Sequence, residues 1–493
     1  MLFEAFKKLR EETPGAPAFL ITSGDRSVPI SWKQFTDDID LVVRLIRIHA
    51  PGAKIGLLGE NSYEWMVAHA AILFSGATVV PIDMNLTPQE IADRLKFVGA
   101  TALVYSALYD EKAHQARALM PGIVTAGFGT LKTERFLDKV RGIFVQKDSV
   151  WNESAIDVKR TSMIVFTSGT TSEPRGAELT IEGLETFCEY GQLQLDIRPG
   201  TRSLMLLPLH HIFGVCTTYL MLMQGSALGV CPDFRRIYDA AERFRVNYLF
   251  LVPALAEILA AKIEQRGRSA EEALGTPIDW ILTGGAALPR RTYEHLTALG
   301  IKTITGSGMT ETHAHFSITP VEGDPHTGSQ GLVPRNFKTE VKVAENGELL
   351  IRGPAVMKGY YKEPEKTAAV IDRDGWYHTG DIGRVDDDGF VYFTGRASRT
   401  IILDSGKKIA PEELEDKILS IPGIRECVVR GEKGTREVIA EVFATIPECR
   451  VNKAIGELNL QLPVYKRVKT VIVRDEPFPR TSSGKIRLGR RTK

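Results

Sequence analysis

The sequence predicts an α/β protein with a large N-terminal domain of layered α/β sheets plus a small β unit, and a smaller α+β C-terminal domain. Three observations lead to this fold class. From Lys54 onward, apolar strands alternate with helical patterns of about 12 to 15 residues, which is typical of crossover units on parallel strands. After residue 330, short strands flank Asn-Gly and Asp-Gly turns. From Ala397 onward, short strands and helices are mixed.

The first crossover series contains three predicted strands and two predicted helices. The strands are KIGLLGE (54–60), TVVPID (78–83) and ALVYS (102–106), and the helices are SYEWMVAHAAILFSG (62–76) and TPQEIADRLKFVG (87–99). Thr87 followed by Pro88 is a favourable N-cap and first-turn pair for the second helix.

A second series repeats this pattern and indicates two related halves. Its strands are VNYLFLV (246–252), IDWILTGG (278–285) and KTIT (302–305), and its helices are PALAEILAAKIEQRG (253–267) and LPRRTYEHLTALG (288–300). Between the two series, residues 203–232 carry no Lys, Arg, Asp or Glu. Proline, histidines and glycines interrupt this stretch, so it is predicted to be buried rather than membrane-spanning. The predicted elements are a strand (204–207), a helix (about 213–223) and a strand (227–231).

The last third of the chain is predicted to contain two hairpins and a final module of mixed strands and helices. KTEVKVAENGELLIRGP (338–354) and GRVDDDGFVYFTGR (383–396) are each predicted as two strands around a turn. The strands of the final module are IILDSG (401–406), ECVVRGE (426–432) and VIAEVFATI (438–446), with one helix at APEELEDKILSI (410–421) and a second after the strands. We place the N-terminal domain at 1–395, with its β unit at about 330–395, and the C-terminal domain at 396–493.

Charge and cysteine content restrict the classes of partner. The 493 residues include 62 Lys and Arg against 61 Asp and Glu, a net charge of +1. This balance argues against nucleic acid or an anionic membrane as a global partner. Five scattered cysteines without a CxxC pair indicate reduced, mostly buried thiols. The charged N-terminus lacks the apolar core of a signal peptide. We therefore expect a cytoplasmic protein.

The segment MIVFTSGTTSEPRG (163–176) carries the strongest local chemical signal. An apolar strand leads into a run of small and hydroxyl-bearing residues. Small residues allow backbone N–H groups to approach an anion, and hydroxyls add donors. Arg175 supplies a charge that matches phosphate. Because no GK[ST] follows the glycine spacing, this is not a Walker loop. The residues alone leave phosphate binding and an ordinary polar loop as open alternatives.

Six segments together resemble the acyl-adenylate-forming superfamily, which includes acyl-CoA synthetases, luciferases and peptide-synthetase adenylation domains. They occur in the order of that family: TSGTTSEPRG (167–176), LPLHHIFG (207–214), GSGMTET (306–312), GWYHTGDIG (375–383), GRASRTIILDSGKKIAPEELE (395–415) and PRTSSGKI (479–486). The resemblance spans nearly the whole chain and is strongest to bacterial fatty acyl-CoA synthetases. It implies a mobile C-terminal domain, and a reaction in which a carboxylate and ATP form acyl-AMP before a thiol displaces AMP.

The resemblance also implies roles for particular residues. Lys485 matches the catalytic lysine, Glu311 matches the magnesium ligand, and Thr310 and Thr170 match hydroxyls that touch phosphate. A carboxylate is a reasonable magnesium ligand because this ion prefers oxygen, and Thr170 is a second candidate at the metal. The remaining implied nucleotide-site residues are Thr167, Ser168, Gly169, Thr171, Arg175, Gly284, Gly285, Ala286, Ser307, Gly308, Met309, Asp381 and Arg396.

One histidine and one three-residue loop complete the expected site. His211 matches the aromatic or histidine position between the acyl and phosphate sites, whereas His210 stands where many relatives carry Phe. Ser405, Gly406 and Lys407 match the loop that approaches coenzyme A. The chain departs from the family at Arg175, where Lys is usual, at Ser172, where Gly is usual, and at Ser307, where an aromatic residue often stacks on adenine.

The expected cofactors are ATP, magnesium and coenzyme A, and the expected substrate is a small-molecule carboxylic acid. Because HHIFGV contains no acidic residue to hold an ammonium group, α-amino acids are disfavoured. The apolar side chains there favour a medium- or long-chain fatty acid. An aryl acid is the main alternative, and an acyl carrier protein is the alternative acceptor. A catalytically inactive nucleotide-binding paralogue is a third possibility.

Overall fold

A computed structural model describes residues 1–24, 26–128, 156–167, 174–266, 269–286, 288–320, 329–333, 337–403, 407–431, 437–480 and 486. Within these residues, two large mixed sheets dominate the first 320 residues. The central strands of each sheet are parallel, as the alternating pattern predicts, while the edge strands are antiparallel. The prediction of two α/β halves is therefore confirmed, with hairpins added at the edges.

The first sheet has seven strands in the order β17-β8-β7-β4-β3-β5-β6. Strand β7 turns back into β8 as an antiparallel hairpin, so the Thr/Ser-rich segment connects two neighbouring strands. The strands are β3 (Lys54–Leu58), β4 (Thr78–Ile82), β5 (Ala102–Ser106), β6 (Val124–Phe128), β7 (Thr161–Thr167), β8 (Arg175–Thr180) and β17 (Gly359–Tyr360).

The second sheet has eight strands in the order β14-β13-β12-β11-β9-β10-β1-β2. The N-terminal strands β1 and β2, which the sequence did not reveal, extend one edge. The strands are β1 (Pro17–Ser23), β2 (Arg26–Ser31), β9 (Arg202–Met205), β10 (Ala227–Val230), β11 (Tyr248–Leu251), β12 (Trp280–Thr283), β13 (Thr303–Ser307) and β14 (Ser317–Ile318).

Helices cover these sheets and enclose one large apolar core and two smaller ones. The predicted N-cap of α4 is confirmed, because Thr87 and Glu90 form a reciprocal capping box behind Pro88. Helices α3 and α7 carry apolar side chains around most of their circumference and are almost wholly buried, which explains their lack of amphipathic pattern. The helices of this part are α1 (Leu2–Glu12), α2 (Trp32–His49), α3 (Tyr63–Ser75), α4 (Pro88–Val98), α5 (Asp110–Ala118), α6 (Ile181–Gln194), α7 (Ile212–Met223), α8 (Ile237–Phe244), α9 (Pro253–Arg266), α10 (Ala270–Leu274) and α11 (Arg290–Ala298).

A four-stranded antiparallel sheet follows, in the order β15-β16-β18-β19. Both predicted hairpins are confirmed: the amide of Gly347 donates to the carbonyl of Ala344 in the first turn, and that of Gly389 donates to Asp386 in the second. The elements are β15 (Glu340–Val343), β16 (Glu348–Arg352), α12 (Pro364–Ala368), β18 (Tyr377–Val385) and β19 (Val391–Arg396).

The C-terminal part has its own apolar core, built from residues between Ile401 and Val468. A three-stranded sheet, β22-β23-β24, carries two helices and a small two-stranded ladder. Its elements are β20 (Ile401–Ile402), β21 (Lys408–Ile409), α13 (Pro411–Leu419), β22 (Ile424–Gly431), β23 (Val438–Ala444), α14 (Glu448–Gln461) and β24 (Val468–Arg474).

Two sequence predictions need correction here. The strand expected over 401–406 is only two residues long, because its ladder partner β21 is equally short, and residues 404–406 lie outside the described range. Strand β24 was missed, since its alternating exposure lacks the long apolar run of a buried strand. All five cysteines are free and only Cys449 is exposed, as expected. None of the helices in the described ranges is long and apolar enough to cross a membrane.

Candidate active site

A cavity opens where the central strands of the second sheet end. Strands β11, β12 and β13 are parallel neighbours, so their carboxyl ends meet at one edge of the sheet. Residues just after them line the cavity together with helices α6 and α7. The predicted site residues among the lining are His211, Gly284, Gly285, Ser307, Gly308, Met309 and Thr310. The tertiary structure therefore brings two of the six sequence segments, 207–214 and 306–312, together with Gly284 and Gly285 at one cavity.

The interior of the cavity is apolar. No Lys, Arg, Asp or Glu occurs among the described residues that line it. The hydroxyl of Thr217, on α7, donates to the carbonyl of Phe213 in the preceding turn, so its hydrogen is already committed. The apolar lining consists of Phe166, Phe187, Leu195, Leu207, Pro208, Ile212, Phe213, Leu220, Phe250, Val252, Leu282, Met309, Ala314 and Ile318.

Two glycines let the backbone approach its neighbours closely around the cavity. A Cβ on Gly308 would lie 2.0 Å from the carbonyl oxygen of Ala314, which no real side chain tolerates. A Cβ on Gly284 would lie 2.8 Å from the ring of Phe213. Packing therefore requires glycine at both positions. Because these residues have no side chain, their backbone atoms face the cavity directly.

The two histidines of LPLHHIFG have different surroundings. His211 lines the cavity, whereas His210 is buried behind it, with ring centroids 4.3 Å apart. The His210 Nε2 lies 3.6 Å from Oδ1 of Asp83, at the end of β4. Burial lowers the pKa of His210, and the nearby Asp83 carboxylate only partly offsets it. His210 is thus favoured as a neutral ring.

Glu311 directly follows the lining residue Thr310, in a short turn, Thr310–Thr312. The hydroxyl of Tyr360 donates to its Oε1 over 2.8 Å. The guanidinium of Arg175 lies over the Tyr360 ring, 5.3 Å from the centroid. Burial and the Glu311 carboxylate raise the pKa of Tyr360, while Arg175 opposes the rise. Sequence reasoning missed Tyr360, because a tyrosine in a two-residue edge strand carries no periodic signal.

Asp381 and Arg396 are brought together by the last β sheet. They are direct register partners on β18 and β19, and Arg396 Nε lies 2.6 Å from Asp381 Oδ1. Asp381 is largely buried, and the Arg396 side chain is about half exposed. The Asp381 carboxylate is thus held inside the protein, while the Arg396 guanidinium stays accessible to solvent.

Other predicted site residues lie apart or cannot be placed. Ala286 is exposed beyond Gly285, and Thr167 ends β7 as a half-buried residue. Lys407 is exposed on the C-terminal part, with its Nζ over the Tyr465 ring at 4.4 Å. Ser168, Gly169, Thr170, Thr171, Ser405, Gly406 and Lys485 lie outside the described residues.

A family comparison decides the class of this site. Residues 6–361 match the family described as AMP-binding enzyme, which covers more than half of the chain. The chain belongs to the AMP-binding enzyme family. It is an AMP-forming CoA ligase of the adenylate-forming superfamily, as the sequence resemblance predicts.

Relatives of this ligase act on acids of two kinds. It is 31% identical over 478 residues to 4-coumarate--CoA ligase 2 of Oryza sativa subsp. japonica, covering 88% of this chain and 82% of that protein. It is 28% identical over 454 residues to the long-chain-fatty-acid--CoA ligase FadD13 of Mycobacterium tuberculosis, covering 89% and 87%. The comparisons thus show an acyl- or aryl-CoA ligase without separating the two.

Solved structures confirm the fold of the ligase. ATP-bound MatB from Rhodopseudomonas palustris superposes with a TM-score of 0.83 at 24% identity, covering 98% of this chain and 97% of that one. The O-succinylbenzoate coenzyme A synthetase MenE from Bacillus subtilis, in complex with ATP and a magnesium ion, gives 0.80 at 24% identity and 98% coverage of both chains. Both support a large N-terminal domain with a small α+β C-terminal domain.

Proposed function

We propose that this ligase activates a medium- or long-chain fatty acid as acyl-AMP and transfers the acyl group to coenzyme A. The observation that carries the choice of acid is the apolar cavity beside His211. An alkyl tail gains about 0.8 kcal/mol for each CH₂ group that it buries there. A second carboxylate or an ammonium group would find no opposite charge among the described lining residues, and its burial would be unfavourable.

An aryl acid is the second candidate, favoured by the similarity to 4-coumarate--CoA ligase 2. A hydroxylated ring would need a polar partner deep in the cavity. The described polar side chains of the lining are His211, Ser307, Thr310 and Thr217. We assign the first three to the nucleotide end, and Thr217 donates to its own helix. A plain hydrocarbon tail therefore matches the cavity better than a phenol.

The described residues also fit ATP and magnesium. Glu311 would hold magnesium with the carboxylate oxygen that Tyr360 leaves accessible, because this ion prefers oxygen ligands. Asp381 and Arg396 would hold the ribose hydroxyls, and the backbone at Gly284–Ala286 and Ser307–Met309 would lie along the adenine. Magnesium, when bound, neutralises charge on the phosphates. The phosphates would be surrounded by Arg175, Thr167, Ser168, Gly169, Thr170, Thr171 and Thr310. Of these, Thr170 would also lie near the metal.

The reaction needs cations where negative charge approaches negative charge. A carboxylate oxygen must reach a phosphate that is already anionic, and we assign Lys485 to stabilise that transition state. His211, at the cavity wall, would lie between the carboxylate and the phosphate. In the second step, Ser405, Gly406 and Lys407 would approach the thiol-bearing nucleotide. A carrier-protein arm is the alternative thiol.

The test is ATP–pyrophosphate exchange over a panel of acids, followed by thioester formation with coenzyme A or a pantetheinylated carrier protein. We expect octanoate and palmitate to exceed cinnamate, 4-coumarate and ferulate, and malonate to give no exchange. A tenfold preference corresponds to about 1.4 kcal/mol. If an aryl acid wins by that factor, the fatty acid assignment is wrong. If no acid supports exchange while ATP binds, the chain is an inactive paralogue.

A further inference from the structure

We propose that Tyr360 is a positioning residue for magnesium: its hydroxyl fixes one oxygen of Glu311, so that the other faces the nucleotide, and links it to Arg175. This inference rests on the proposed role of Glu311 and assigns a function to a residue outside the six motifs. Tyr360 touches the metal carboxylate, not the reacting atoms.

The contact between the two side chains is direct and sheltered. Tyr360 is 5% exposed, and its hydroxyl donates to Glu311 Oε1 over 2.8 Å. The backbone adds a second link, since the amide of Met357 donates to the carbonyl of Glu311 over 2.7 Å. Hydrogen bonds to an ionised acceptor are stronger than neutral ones, and partial burial preserves that strength. The carboxylate is therefore oriented before any ligand arrives.

The tyrosine itself is fixed by the sheet. Strand β17 joins the edge of β8, with Tyr360 opposite Ala177. The Tyr360 amide donates to Oγ1 of Thr367 over 2.8 Å. Because β8 begins at Arg175, this pairing also brings the end of the Thr/Ser-rich segment to the tyrosine. Two segments about 180 residues apart are thus held in one register.

The same geometry accounts for Arg175 at a position where relatives carry lysine. A planar guanidinium can lie over the Tyr360 ring and still present donors at its edge. A lysine ammonium is a point charge without this planar fit. The uncharged phenol between Arg175 and Glu311 orients the carboxylate without neutralising it. A cation in direct contact would neutralise that carboxylate.

The experiment compares two adjacent tyrosines. Tyr360→Phe removes only the hydroxyl and keeps the ring under Arg175. Tyr361→Phe is the matched control, because its hydroxyl donates to the carbonyl of Val98, a different neighbour. Each variant of the full chain is incubated with Mn²⁺ and α,β-methylene-ATP, which cannot be cleaved at the reacting bond. Free Mn²⁺ is measured by electron paramagnetic resonance, and thermal unfolding confirms that each variant is folded.

We expect Tyr360→Phe to weaken Mn²⁺ binding about tenfold, as is typical for the loss of a group that orients a metal ligand. Tyr361→Phe should bind like the wild type. In a Glu311→Gln background, Tyr360→Phe should cause no further loss, since the tyrosine acts through that carboxylate. Unchanged Mn²⁺ affinity in Tyr360→Phe, or full additivity with Glu311→Gln, would overturn the proposal.

This measurement is separate from the test of the proposed function. It needs neither a carboxylic acid nor a thiol, so a wrong acyl substrate does not affect it. If the wild type fails to bind Mn²⁺ with the nucleotide analogue, the proposed ATP-dependent function fails with it. If the wild type binds Mn²⁺ and Tyr360→Phe binds it equally well, only the role assigned to Tyr360 is wrong.

Discussion

Arg396 and Asp381 face each other across β18 and β19, with Nε and Oδ1 2.6 Å apart. The antiparallel ladder places the two residues opposite each other, so their side chains pair without a ligand. Strand β19 ends at Arg396, and the chain then enters the turn that leads to the C-terminal part. The resemblance to the adenylate-forming family places a hinge in this turn, at Ser398, two residues after Arg396. The proposed ribose-binding pair is therefore adjacent to that hinge, and a rotation there would leave Asp381 in place.

We predict that Ser398→Pro preserves adenylation but impairs thioester formation. Ser398 is exposed in the turn after β19, two residues beyond Arg396. A hinge must change its backbone dihedral angles, and proline holds φ near −65°. Pyrophosphate exchange and acyl-CoA formation are measured separately on the purified variant. Wild-type rates in both assays would show that the hinge lies elsewhere.

We predict that Arg291→Ala loosens the C-terminal part. Arg291, on α11, donates to the carbonyls of Leu419 and Ile424 over 3.2 and 3.0 Å. It also donates to Glu257 over 3.0 Å. Loss of charged hydrogen bonds worth about 1.4 kcal/mol should increase local opening about tenfold. The readout is the rate of trypsin cleavage between residues 396 and 400.

Arg290→Ala is the matched control for this experiment. Arg290, the neighbour of Arg291 in sequence, pairs with Glu294 on the same helix. Its loss should therefore not affect the C-terminal part. Equal cleavage rates for the two variants would mean that Arg291 does not hold that part in place.

We predict that Lys485→Ala abolishes acyl-AMP formation and leaves thioester formation from supplied acyl-AMP largely intact. A cation beside the α-phosphate stabilises only the first transition state. The two half-reactions are assayed separately, with Lys407→Ala for comparison, which should affect mainly the second. A similar loss in both half-reactions for Lys485→Ala would remove its assigned role.

We predict that His315→Phe makes the N-terminal domain more resistant to acid. Burial lowers the pKa of His315 to about 3, and neighbouring His313 contributes. An unfolded histidine titrates near pH 6.5, so below that pH the unfolded state binds the extra proton and wild-type stability falls as pH falls. The ring packs against Tyr190 at 4.9 Å between centroids, a contact that phenylalanine can keep.

Urea unfolding followed by tryptophan fluorescence at pH 7.5 and 5.0 measures the effect. On going from pH 7.5 to pH 5.0, the stability of His315→Phe relative to wild type should rise by up to about 2 kcal/mol. The reason is that each pH unit below 6.5 contributes about 1.4 kcal/mol. His49→Phe, at an exposed position on α2, is the control. A constant difference across the pH range would contradict the prediction.

Local sequence determines much of this protein. Alternating apolar runs and helical patterns predict the central strands and helices of both large sheets, because burial on two faces requires those patterns. Thr87 and Pro88 cap α4, and the Asn-Gly and Asp-Gly turns form the two hairpins, because each depends on neighbours within a few residues. The charge balance and scattered cysteines are likewise properties of composition alone.

Only the tertiary structure decides which distant segments meet. Tyr360 reaches Glu311 because β17 joins β8, a pairing that no local pattern encodes. The apolar cavity combines side chains from both sheets and from α6 and α7. His211 faces this cavity while His210 faces Asp83, although the two are neighbours in sequence. Such contacts depend on long-range strand order and packing, which periodicity within one segment does not specify.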